Sequence, residues 1–185
     1  MSLNNLEVST LEVIESPAKL LLNVVNATAA AVAVNPKLAV IRPETITTWV
    51  QGTTTQVSVK SGAHDFTIDE PPALAGQNLG ASPVEHLLAA LGSCQVITYQ
   101  VWAAKLGIEI ESIQVSLAGD IDVHGFFGFN SDVRAGFKSI ELNVAITGAE
   151  TAERYAHLTK LVDEHCPVLD VLTVGIPVNS TFSYN

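Results

Sequence analysis

The chain has 185 residues, 48% of them hydrophobic and 15% charged, with 19 acidic against 9 basic side chains and a formal charge of −10 at pH 7. That balance repels a phosphate backbone, and no Lys/Arg cluster offers a local exception, which argues against nucleic acid as a partner. One domain of this length removes roughly 70% of its unfolded surface from water; so apolar a composition with so few charges favours an extensive subunit interface, most simply an obligate dimer.

Glu7, Glu12 and Glu15 precede the apolar run from Leu20 to Val34, the reverse of the basic start of a signal peptide. Asn23 and Asn26 interrupt that run, so no segment is expected to span a bilayer, and the expected compartment is the cytoplasm. The sequon Asn26-Ala27-Thr28 is read as chance. Leu20 to Ala33 is Ala-rich and reads as a helix closed by Asn35-Pro36, since proline ends a helix before it. Three β-branched segments follow, Thr45 to Val50, Thr54 to Val59 and His64 to Ile68. Gln51-Gly52 and Ser61-Gly62 punctuate them, giving a three-stranded meander.

Asp69 to Gly80, with two prolines and two glycines, reads as a long loop. In Ser82-Pro83-Val84-Glu85 the serine is the N-cap, the proline the first helical residue and the glutamate the capping-box partner, so a helix starts here. It runs to about Lys105 and stops at Gly107, roughly 35 Å of helix. Its apolar residues surround the whole circumference, which predicts a buried central helix. Beyond it, Ile108 to Val123 and Lys138 to Ile146 alternate as strands, Ala149 to His165 has helical spacing, and Val174 to Phe182 reads as a last strand. The fold class is α+β with antiparallel sheet.

The chemistry rests on two cysteines, Cys94 and Cys166, 72 positions apart. That spacing suits neither a zinc site nor a disulfide scaffold, leaving a transient catalytic disulfide or two buried, inert thiols. Cys94 falls on the third turn of the central helix, beyond the reach of its macrodipole, so a thiolate there needs a cation or donors from another segment. Cys166 precedes Pro167, which predicts a short helix from Pro167 to Leu172 with Cys166 at its N-cap, where backbone N–H groups stabilise a thiolate. Glu85 is either a capping residue or the orienter of a cation that serves Cys94. Arg42, Arg134 and Arg154 are the only arginines. The five histidines, His64, His86, His124, His157 and His165, form no HExxH pair, and neither a metal nor a cofactor is expected.

Asp69-Glu70-Pro71-Pro72, then Gly80-Ala81-Ser82-Pro83-Val84-Glu85-His86-Leu87-Leu88-Ala89-Ala90-Leu91-Gly92-Ser93-Cys94, and far downstream His165-Cys166-Pro167-Val168, together resemble the OsmC/Ohr family. Gly119 to Gly125 and Ala135 to Ile140, read as middle strands, resemble its OsmC-like branch. The likeness covers about Thr45 to Phe182, so residues 45–185 are read as the OsmC-like domain and residues 1–44 as an N-terminal helical extension. It implies an OsmC-like fold, with antiparallel sheets wrapped around two long central helices in an intertwined homodimer. It also implies thiol peroxidase chemistry for oxidative stress: Cys94 is the peroxidatic thiolate and Cys166 resolves its sulfenic acid to a disulfide. A dithiol reductant restores both.

Two positions depart from the family. The glutamate that directly follows the motif proline in the hydroperoxide-resistance branch lies one step later here, at Glu85, and the activating arginine aligns with Thr54. The first functional reading is a cysteine-dependent peroxidase acting on organic hydroperoxides or hydrogen peroxide. The second is a non-catalytic or redox-sensing protein that binds a hydrophobic small molecule at the dimer interface.

Overall fold

The computed structural model describes residues 15–184; Glu7 and Glu12 of the acidic N-terminal stretch lie outside the described residues. Helix α1, Pro17–Val34, begins where the Ser16 hydroxyl accepts from Lys19 N and Pro17 supplies the first turn. This cap lies ahead of the apolar pattern, which is why the helix starts three residues before the predicted Leu20. Asn35 ends it and caps a 3₁₀ turn over Pro36–Ala39. α1 lies along the central helix but buries no residue completely. By length and composition, α1 and the central helix are each apolar enough to cross a bilayer, but Asn23 and Asn26 break the first, as expected from the sequence, and the second packs in the core of the protein.

The meander forms as β1 (Thr45–Trp49), β2 (Val57–Ser61) and β3 (His64–Ile68), with Thr45 opposite Ser61 and Val57 opposite Ile68. β2 starts at Val57 rather than Thr54 because residues 50–56 are consumed by a turn. There Val50 N donates to Gln56 O at 2.9 Å and the Thr53 hydroxyl to Val50 O at 2.7 Å. Val59 is buried, yet Ile46, Trp49 and Phe66 remain exposed. Phe66 stacks on His86 at 5.4 Å, joining the sheet to the head of the next helix.

That helix, α2, runs Pro83–Leu106 between the predicted capping box at Ser82 and a left-handed Gly107 (φ 62°). One side packs on α4 (Ala152–His165), where Tyr99, Ala103, Ile108, Leu158 and Val162 form the core. Each large side chain so buried contributes about 1.5–3 kcal/mol. Tyr99 satisfies its hydroxyl on Thr159 Oγ1 at 3.1 Å. Another side packs on β4 (Ser112–Gly119) so tightly that a Cβ at Gly92 would lie 2.8 Å from Leu117 Cδ1. The expected burial on all sides does not occur within one chain, since Ile97 is 62% exposed.

β4 pairs antiparallel with β5 (Ile140–Thr147) from Ser112 opposite Thr147 to Gly119 opposite Ile140. Ile113, Val115, Leu117, Leu142, Val144 and Ile146 alternate inward. The predicted strand from Ile108 to Val123 is therefore shorter. Its end, with the expected middle strand at Gly119 to Gly125, becomes a turn leading to the short helix α3 (Val123–Phe126), capped by Asp122. After α4 comes α5 (Pro167–Val174). The last strand, Val174 to Phe182, does not form: α5 takes Val174, Gly175 (φ 77°) turns the chain away, and Ile176, Val178 and Phe182 find no face to bury against. Among the described residues the fold is α+β with antiparallel sheets of three and two strands.

Candidate active site

Cys94 is half-buried on α2, and Cys166 is the single residue between α4 and α5, serving as C-cap of one and N-cap of the other. The structure brings their sulfurs to 3.3 Å as free thiols, with Cys166 Sγ donating to Cys94 Sγ. Cys94 opens on a cavity of about 490 Å³ whose other walls include Ala90, Ile97, Trp102, His165 and Pro167. The Trp102 ring stacks on His165 at 4.5 Å, and Lys105 Nζ sits 3.4 Å from its centroid, a cation–π contact. Sequence reading placed His165 beside Cys166 but missed Trp102, whose partners come from both α2 and α4.

Cys166 is 1% exposed, and burial pushes its thiol above the ordinary value. The expected N-cap effect is present, because backbone N–H groups of Leu169 and Val168 favour the thiolate, but burial and the neighbouring Cys94 outweigh it. Cys166 therefore keeps its proton and, being buried, is shielded from reagents in solution, whereas Cys94 is half-buried and opens on the cavity. Iodoacetamide at neutral pH is expected to label Cys94 before Cys166. Peptide mass spectrometry of a time course checks this, and equal labelling rates would contradict it.

The third predicted residue, Glu85, does not line this cavity. Its Oε2 accepts from Ser82 N and Ser82 Oγ, both at 2.7 Å, and these bonds hold its carboxyl below the usual range. Nearby Glu70 is pushed up by burial, then by the charges of Glu85 and Asp69. No arginine lines the thiol cavity either. Arg42 pairs with Glu44 on the surface, while Arg154 pairs with Glu150 and donates to Leu106 O at 3.0 Å, tying α4 to the end of α2. Arg134 lines a different cavity. The Thr54 hydroxyl donates to Ala75 O. Among the described residues no His, Cys, Asp and Glu cluster could hold a metal.

Asp69 organises the loop that leads into α2. Oδ1 accepts from the Thr55 hydroxyl (2.7 Å) and Glu70 N (2.9 Å), and Oδ2 from Gln77 N (2.9 Å) and Leu79 N (3.2 Å). These bonds, the Thr55 hydroxyl foremost, lower its pKa from 3.8 to about 2 against the opposing effect of burial. A lowered folded-state pKa gives stability that is present above 3.8 and lost as pH falls through about 2. Asp69→Asn is expected to be less stable than the native chain near neutral pH, with the difference shrinking across that acid window. Urea midpoints measured against pH check this, and a pH-independent difference would contradict it.

Paired thiols on the central helix and at a helix junction, within an α+β fold of two antiparallel sheets, define a two-cysteine protein of the OsmC type. The chain belongs to the OsmC-like protein family, whose model matches residues 76–181. Among solved structures it is similar to an OsmC-like protein from Mycoplasma pneumoniae, with 19% identity over 71% of this chain and 87% of that one and a TM-score of 0.61. An OsmC-like protein of unknown function from Vibrio cholerae matches at 17% identity over 72% and 95%, with a TM-score of 0.59. An organic hydroperoxide resistance protein OsmC from Legionella pneumophila matches at 18% identity over 72% and 90%, with a TM-score of 0.55. At these identities the likeness establishes the fold. A search of curated proteins finds no match.

Proposed function

We propose that the chain is a cysteine-dependent peroxidase reducing organic hydroperoxides or hydrogen peroxide. The observation that carries this reading is the 3.3 Å separation of the two sulfurs, with Cys166 as donor. In the proposed cycle the Cys94 thiolate attacks the distal oxygen of R–O–O–H. The O–O bond breaks, the alkoxide leaves and takes up a proton, and Cys94 becomes a sulfenic acid. The Cys166 sulfur then displaces water to form the disulfide, and a dithiol reductant returns both thiols by exchange. Glu85 acts through the capping box, holding the start of α2 in place. In this reading residues 45–185 form the OsmC-like unit and residues 1–44 the extension.

Cumene hydroperoxide consumption with dithiothreitol tests the cycle. Cys94→Ser is expected to drop to the background rate; in a single-turnover run without dithiothreitol, Cys166→Ser still reduces about one equivalent and accumulates sulfenic acid that dimedone traps. Background consumption by the native chain would instead favour the non-catalytic reading. The specific observation behind that alternative is the lack of any arginine lining the thiol cavity, with Thr54 bound to a loop carbonyl in its place.

The reading includes a homodimer. The accessible surface is 14427 Å², whereas a folded monomer of 19.6 kDa exposes about 8,600 Å². The excess is accompanied by exposed Ile46, Trp49 and Phe66 on the meander, Ile97 on α2 and Val178 and Phe182 beyond α5. Sedimentation equilibrium is expected to give a dimer at micromolar concentration; a stable monomer would contradict it.

A further inference from the structure

A second cavity, of about 440 Å³, lies between the first turns of α2, β5 and α5, a volume within the range of small-molecule sites. It shares no lining residue with the thiol cavity. Its walls are apolar where Leu87 and Leu91 of α2 face Leu142 of β5 and Leu169 and Leu172 of α5. Its charged lining is Arg134 and Lys138, with no carboxylate, in a chain that has 19 acidic and only 9 basic residues.

The two cations differ. Lys138 Nζ lies 3.4 Å from Asp122 Oδ2, so its charge is partly answered. Arg42 and Arg154 also have carboxylate partners, Glu44 and Glu150. Arg134 makes no ion pair or side-chain hydrogen bond among the described residues. A planar guanidinium matches a carboxylate through two parallel bonds, and it is less strongly hydrated than an ammonium, which suits it to the edge of an apolar space. Polar and apolar complementarity thus converge on one ligand class, a molecule with an anionic head and a hydrocarbon tail.

We propose that this cavity binds an amphipathic carboxylate, with Arg134 taking the head group and the leucines of α2, β5 and α5 enclosing the alkyl chain. The site stands apart from the thiol chemistry, so its test needs no peroxide. Calorimetry with the full chain and linear carboxylates is expected to show binding that tightens about fourfold per methylene from hexanoate to decanoate. Decanol, which has the tail without the charge, and acetate, which has the charge without the tail, are expected to bind at least tenfold more weakly than decanoate. Arg134→Gln removes most of the preference of decanoate over decanol, and Leu172→Trp, which fills the cavity, abolishes decanoate binding. Ile97→Trp, which fills the thiol cavity instead, leaves it unchanged; thermal melts establish that each variant is folded. The proposal is overturned if decanoate gives no heat at about 1 mM, if decanol binds as tightly, if Arg134→Gln binds like the native chain, or if Ile97→Trp is the variant that loses binding. Should Leu172→Trp fail to fold, the decanol comparison and Arg134→Gln decide the matter alone.

Discussion

The contact of α4 with α2 is the constraint on which the thiol pair depends. Leu158, Val162 and Cys166 are spaced at i, i+4 and i+8, so they lie along one stripe, and all three are at most 1% exposed. The first two pack into the core with Tyr99 and Ala103 of α2, and the third, continuing the same stripe past the end of the helix, brings its sulfur to Cys94. The bonds from Tyr99 to Thr159 and from Arg154 to Leu106 O oppose sliding of one helix along the other. Proximity of the thiols thus follows from ordinary hydrophobic packing and requires no covalent link in the reduced protein.

Around that pair, polar groups act mainly on backbone. Asp69 gathers the N–H groups of a loop, Glu85 closes a cap and Arg154 serves a helix C-terminus. Gln95 departs from this pattern: it is fully buried beside Cys94 in sequence, and neither its amide nitrogen nor its oxygen has a partner of good geometry. The Gln95 amide instead acts on the Asp163 carboxyl, opposing the burial that raises it.

Local signals in the sequence were legible where their physics is local. The Ser82 capping box, the stop at Asn35-Pro36, the alternating strand read from Lys138 to Ile146 and found at Ile140–Thr147, and the Pro167 helix start each depend on residues within one or two turns, and each appears in the structure. The two cysteine motifs pointed to the family that residues 76–181 match. Features that depend on distant partners were less legible. Val174 to Phe182 has strand periodicity, but the backbone leaves α5 without an edge to join, so pattern alone misled. The apolar circumference of α2 records which residues avoid water without recording which chain covers them. Asp69 enters the sequence reading as the start of a loop and as part of the family motif but without its structural role, because two of its acceptor bonds reach N–H groups eight and ten residues away and leave no side-chain signature. Composition identified Arg134 as one of three arginines but carried no information about which of them lacks a carboxylate.

The junction at Cys166 has a mechanical side. One residue joins two helices, so its backbone torsions, φ −82° and ψ 110°, set the angle between them. Bonding the sulfurs would shorten their separation from 3.3 Å to about 2.05 Å. Cys94 lies in the middle of a 24-residue helix, so the displacement is shared between the two cysteine side chains and the junction. α5 is eight residues long, about 12 Å of helix, and a rotation of roughly 10° at its head moves its far end by about 2 Å. α5 is in this sense a lever on the Cys166 junction, and a small change of torsion at its N-cap residue is magnified at its far end.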